Sequence, residues 1–305
     1  MRLLALLAVL ALSLLAAGPA AAQQTNYSVK KGDSMWHFKV NWKDAEGERH
    51  EVNYALPTRY LKEDLEEPLK YKPRKAAKYV SKAVNEWAGT QRGVKIKAKI
   101  NSEDGVDISG SGKDGDKLDA AMEAVEQVRD DAMERYLTQN GYTTLDDMII
   151  PDHGLHVREY ADDLAPLVNA LGGPTDDPRE FGALALSYVQ SIPYEQRARV
   201  SDRYRRPLSI LGRNIGDCDS KTVLYLAMMH QAYPELPLAM VYIKGHAYGA
   251  LGVEAERGDR TFKADGQAWV GVEPVGPAVA AVGDLGKYSR RKSRFGRRNV
   301  QVVTD

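Results

Sequence analysis

The sequence predicts an α+β protein, and three observations carry that expectation. Alternating apolar and polar residues mark strands over much of 27–112, helical periodicity precedes a series of strands from 178 onward, and no internal repeat organises the chain. With 305 residues, 43% of them hydrophobic, the chain can bury one or two sizeable cores, which excludes wholesale disorder. Its 42 basic residues balance 42 acidic ones, which argues against a nucleic-acid partner recruited by overall charge.

The elements follow in order. Arg2, the apolar run from Leu3 to Ala17 and the small residues Ala20-Ala21-Ala22 have the form of an export signal over 1–22. The run is shorter than the roughly 20 residues a membrane span needs, so no stable span is expected and the localisation expected is periplasmic or secreted. Met35 to Trp42 and His50 to Leu56 alternate around the turn at Ala45–Glu48, which predicts a hairpin. Lys72 to Trp87 reads as an amphipathic helix with Ala76, Ala77, Val80, Val84 and Trp87 on one face, followed by strands over Val94–Ile100 and Val106–Ser109. The Gly/Ser/Asp cluster at Ser109–Asp116 is read as a linker that closes a strand-rich region, 23–112. A helical connector, 113–177, comes next, with a charged helix over Leu118–Leu137. Within 178–285, Arg179–Ser191 and Asp219–Ala232 read as helices and Leu238–Tyr242 opens the strands. Lys287–Arg298 carries seven basic residues and no acid, and 286–305 is read as a basic tail.

Cys218 is the one cysteine, so it forms no internal disulfide, and a lone thiol in an exported protein is either inert or kept for chemistry. It lies in Gly216-Asp217-Cys218-Asp219-Ser220-Lys221, directly before an apolar run, which sets it in the first turn of a buried helix. The helix dipole there favours a thiolate, while Asp217 and Asp219 oppose it. A thiol nucleophile needs a base, and His246, after Gly245 at the edge of a strand, is the best candidate. His230 is 12 residues along the same helix, about 18 Å away. For the group orienting the imidazole, Glu254 is about 26 Å along an extended strand, whereas Glu273 lies on a later strand that can return beside it. A hairpin centred between Asp259 and Arg260 sets His246 opposite Glu273, and a turn at Asp265-Gly266 is the other option.

Ser187–Tyr194, Arg206-Pro207-Leu208, Gly216–Lys221, Gly245-His246-Ala247 and Val272-Glu273-Pro274, in this order, resemble the transglutaminase-like cysteine peptidase superfamily of bacteria. The resemblance covers about 178–285. It implies a papain-like core in which a helix carrying the cysteine packs on an antiparallel sheet carrying the histidine and acid. By the same resemblance Cys218 is the nucleophile, His246 the base and then acid, and Glu273 the orienting group. Aspartate is commoner than Glu273 at that place, and Pro274 and Val275 follow where threonine is frequent. The Cys218 backbone N–H is the first oxyanion donor by geometry, with Tyr194 or Gln190 as the second.

The function expected is therefore an exported cysteine-dependent acyl-transfer enzyme, cleaving peptide or glutamine amide bonds of a protein or peptide substrate through a thioester, with no cofactor and no metal. The alternatives are a non-catalytic scaffold of the same fold, with Cys218 an inert core residue, and a cross-linking transglutaminase. His153 and His156 lack the spacing of a zinc helix. The pairs Asp146-Asp147, Asp162-Asp163 and Asp176-Asp177 do not continue as calcium loops.

Overall fold

A computed structural model describes residues 23–66, 69–195, 204–276, 279–295 and 298–303. The export signal expected over 1–22 lies outside the described residues. The protein mixes helices with antiparallel sheets, and no helix among the described residues is long and apolar enough to cross a membrane.

Strands β1 (Gln23–Lys31), β2 (Met35–Lys43) and β3 (Arg49–Pro57) form an antiparallel meander. The predicted hairpin is β2–β3, closed at Lys43 opposite Arg49. β1 escapes the sequence pattern because its side chains are mostly polar and only partly covered. One face of the meander buries Trp36, Phe38, Val40, Trp42, Val52, Tyr54 and Leu56. This period-two row packs into the same apolar core as the helices from the second half of the chain.

After α1 (Thr58–Glu66) the chain forms a second core from α2 (Pro73–Ala88), β4 (Val94–Ile100), β5 (Val106–Gly112) and α3 (Gly115–Gln139). Pro73 opens α2, and Ala76, Ala77, Val80 and Val84 are buried as their spacing predicts, with Trp87 only partly covered. The expected linker at Ser109–Asp116 is instead the end of β5 and the cap of α3: Gly112 pairs with Val94, and Asp114 accepts the Lys117 N–H. Small residues are needed there because α3 approaches closely. A Cβ at Gly110 would come within 2.6 Å of Met122 Sδ and 2.9 Å of Leu118 Cδ1. The strand-rich region expected over 23–112 is thus divided: its first strands join the main core, and the rest packs with α3.

Next come β6 (Tyr142–Leu145), β7 (Met148–Pro151), α4 (His153–Ala161), a 3-10 turn (Asp162–Leu164), α5 (Ala165–Ala170), α6 (Pro178–Ser191), α7 (Pro207–Arg213) and α8 (Cys218–Ala232). The aspartate pairs have structural work. Asp146 and Asp147 both take positive φ in the β6–β7 turn, Asp162-Asp163 open the 3-10 turn, and Asp177 caps α6. α8 is buried on nearly every side and packs on a five-stranded antiparallel sheet of order β10-β11-β9-β8-β12. These strands are β8 (Leu238–Ile243), β9 (His246–Leu251), β10 (Thr261–Ala264), β11 (Gln267–Val272) and, after helix α9 (Lys287–Phe295), β12 (Asn299–Val303).

Two expectations about this region are corrected. The segment 286–305 read as a tail re-enters the sheet, because Val300 and Val302 pair with β8 and supply apolar cover that the preceding basic run conceals in a charge-based reading. The turn at Asp265-Gly266, with both residues at positive φ, joins β10 to β11 and not β9 to β11. β11 pairs with β9 at Val272 opposite Gly249. Continuing that register puts Glu273 level with Tyr248, two residues from the predicted position opposite His246 and on the same sheet face.

Candidate active site around Cys218

Cys218 is the first residue of α8, and Asp217 caps the helix by accepting the Ser220 N–H at 3.1 Å and the Ser220 hydroxyl at 2.5 Å. The thiol donates to Asp219 Oδ1 at 3.1 Å, and the Ala247 N–H points at the sulfur from β9. Burial, reinforced by Asp219 and Asp217, pushes the Cys218 thiol well above the usual range for cysteine. The thiolate favoured by the helix position is therefore not the resting form: a dipole worth about half a charge is outweighed by desolvation and two carboxylates. Asp217 itself is raised to about 6, by burial first and then by repulsion from Asp219.

Tyr194 forms an isolated parallel bridge with Gly216, which carries its ring to the thiol. Its hydroxyl faces the sulfur and is raised to about 12, by burial first and then by Cys218 and the two aspartates. Near neutrality it keeps its proton and remains a donor.

His246 begins β9 after the tight Lys244-Gly245 turn, where Gly245 takes φ +74°. Its Nε2 meets Glu273 Oε1 at 3.0 Å, and the carboxylate is 2% exposed. The second oxygen, Glu273 Oε2, accepts from Ser289 at 2.5 Å. Tyr288 stands edge-on to the His246 ring at 6.0 Å and donates to the Lys244 carbonyl at 2.7 Å. With Nε2 engaged by the acid, Nδ1 is the ring nitrogen left for a proton acceptor's work. The structure thus joins His246 to Glu273 and sets the Cys218 sulfur against the next peptide, while the thiol's own bond goes to Asp219.

Gln190 is placed differently from its expected role as an oxyanion donor. Its Nε2 donates to the carbonyls of Glu273 and Ala280, both at 2.9 Å, so its two N–H bonds are spent on the segment that holds the acid. Lys221, one turn after Cys218, is fully buried and donates to the carbonyls of Ile192 at 2.7 Å and Gln190 at 3.3 Å. Burial lowers it to about 7, and Glu273 opposes that shift. Lys221, Gln190 and Glu273 therefore form one connected support between the cysteine helix and the acid. The sequence signal for Lys221 is its place as the one lysine or arginine of a helix that is apolar from Val223 to Met229. Ser289 and Tyr288 carry none, since they lie in the run read as a tail.

Elsewhere, His153 Nδ1 contacts Tyr242 at 2.7 Å and His156 Nδ1 contacts Tyr204 at 2.9 Å, so both histidines are engaged by phenols. Among the described residues, Asp44, Glu48 and His50 are near enough to one another to hold a cation, at the β2–β3 turn. Asp44 already accepts the backbone N–H groups of Glu46 and Glu48 and contacts His50 at 2.7 Å, which accounts for the cluster without an ion. No protein-family model, curated protein or solved structure matches this chain.

Proposed function

We propose that the protein is a cysteine-dependent amidohydrolase acting on peptide or glutamine side-chain amides, with a papain-like arrangement of Cys218, His246 and Glu273. The observation that carries this reading is the His246–Glu273 bond, which leaves the other imidazole nitrogen free at the strand end where the Cys218 sulfur meets the Ala247 N–H. Because the resting thiol is neutral, substrate binding must draw it away from Asp219. Its proton passes to His246 Nδ1 as sulfur forms a bond to the amide carbonyl carbon. The developing oxyanion accepts from the Cys218 N–H and the Tyr194 hydroxyl. The C–N bond then breaks, the amine takes the proton from His246, and water hydrolyses the thioester with His246 again as base. Water is favoured over a second amine because it is abundant and nothing in the sequence marks a site for an amine.

Replacing Cys218 by Ala is expected to abolish turnover of a defined peptide amide while the circular dichroism spectrum stays unchanged. Turnover that persists in Cys218→Ala overturns the assignment.

A further inference from the structure

The run Lys287–Arg298 enters the proposed reaction only through Tyr288 and Ser289, yet it is the most strongly charged segment of the chain. The inward face of α9 is marked by Ser289, bonded to Glu273, and by Ser293, 3.1 Å from the Tyr248 hydroxyl. Tyr288 and Lys292 are one turn apart on the flank beside His246, with the Lys292 ammonium 5.8 Å from the Tyr288 ring. Tyr288 is 45% exposed and is tied to the Lys244 carbonyl, so Lys244, itself exposed, completes that edge. Lys287 and Arg291 project from the outer face of the same helix.

The neighbouring acids do not cancel this charge. Asp284 is paired with Arg290, Glu195 with Arg205, and Glu273 is buried under His246 and Ser289. Asp217 and Asp219 keep their charge, but they lie on the thiol side of the site, at the start of α8, and are fewer than the cations of this edge. Among the described residues Lys244, Lys287, Arg291 and Lys292 form no ion pair, so the edge beside the imidazole carries positive charge with an exposed aromatic face in its centre.

We infer that this edge is a substrate subsite selecting acidic peptides, in which carboxylates flanking the scissile amide meet Lys244 and Lys292 while adjoining apolar groups lie on Tyr288. The inference rests on the acyl-transfer reading of Cys218 and names its substrate class. Charge of this kind acts mainly on encounter and specificity, and it is screened over a Debye length of about 8 Å at physiological salt.

The test uses the full chain carrying Cys218→Ala, so that binding is read without turnover. Two fluorescent peptides are compared by anisotropy, one with glutamates flanking a central glutamine and one with serines in their place. The acidic peptide is expected to bind about tenfold more tightly at low salt, with the preference collapsing near half-molar salt. Lys244→Glu with Lys292→Glu removes the preference. Lys95→Glu with Lys97→Glu, an equal charge change on the exposed face of β4, leaves it in place. Equal binding of both peptides, or equal loss in the two double variants, overturns the inference. Failure of the acyl-transfer reading shows separately: in the wild-type chain Cys218 is the one thiol, and turnover insensitive to its alkylation by iodoacetamide rejects that reading whatever the peptides do.

Discussion

His246 and His153 are each held through one ring nitrogen at short range, 3.0 Å and 2.7 Å, but the partner differs in kind. Glu273 is a carboxylate, which can only accept from the ring and has its second oxygen bonded to Ser289. Tyr242 is a phenol that donates its own proton to Gln301 Oε1 at 2.8 Å, so it accepts from His153 Nδ1–H and fixes the ring's orientation without offering a charge to balance a second proton. Burial acts in the same direction on His153 and on its neighbour His156, which is lowered to about 3. One imidazole is thus bonded to a buried carboxylate at the edge of the sheet, and the other two are core groups held neutral by burial. The residue type does not distinguish them; the partner and the water left around the ring do.

The comparison breaks most sharply at Glu273. Glu273→Gln keeps the size of the side chain and removes its charge, and kcat for amide hydrolysis is expected to fall by about 10³-fold, with KM little changed. A loss below about fivefold in steady-state kinetics places His246 with the phenol-bound histidines.

Lys221 sharpens the comparison from the alkaline side. Its folded value, about 7, lies below the ordinary lysine value of 10.5, so between these limits the unfolded chain binds more protons and stability rises with pH. Lys221→Met should flatten that rise, by about 3 to 4 kcal/mol between pH 7 and 10.5 in urea titrations. An unchanged slope shows that the ammonium is not buried in solution.

The smallest effect is expected at His156, whose folded value lies below the unfolded 6.5. There too the unfolded chain holds more protons, and stability is lost as pH falls from about 6.5 toward 3. His156→Phe preserves the stack on Tyr204 and should reduce the acid sensitivity by about 2 kcal/mol over the upper part of that range, from about pH 6.5 to 4.5. Asp64 and Asp217, both raised to about 6, run the opposite way, so the difference between variant and wild type is the quantity to measure. An acid limb as steep in the variant as in the wild type places the proton uptake elsewhere.

What could be read in advance follows from range. The β2–β3 hairpin, α2, α6 and α8 are legible because period-two and helical spacing report burial within one element. β1 and β12 are not legible for the same reason, since an edge strand is held by backbone pairing and shows little in its side chains. Ser109–Gly112 is ambiguous in sequence because small residues signal a linker and also signal the close approach of another element, here α3. At the site, local context singles out Cys218, and only the ordered set of motifs adds His246, Glu273, Tyr194 and Gln190, whereas the carbonyl partners of Gln190 and Lys221 are brought to them by chain folding alone.

The sequence by itself determined which groups are available: one thiol, placed at the start of an apolar helix, and a Gly-His and a Glu on later strands. Tertiary structure alone decided their states. It buried the thiol beside Asp219, paired His246 with Glu273, set Lys221 near the acid and laid Tyr288 against the imidazole. Charge state depends on desolvation and on partners distant in the chain, and neither is encoded in the spacing of neighbouring residues.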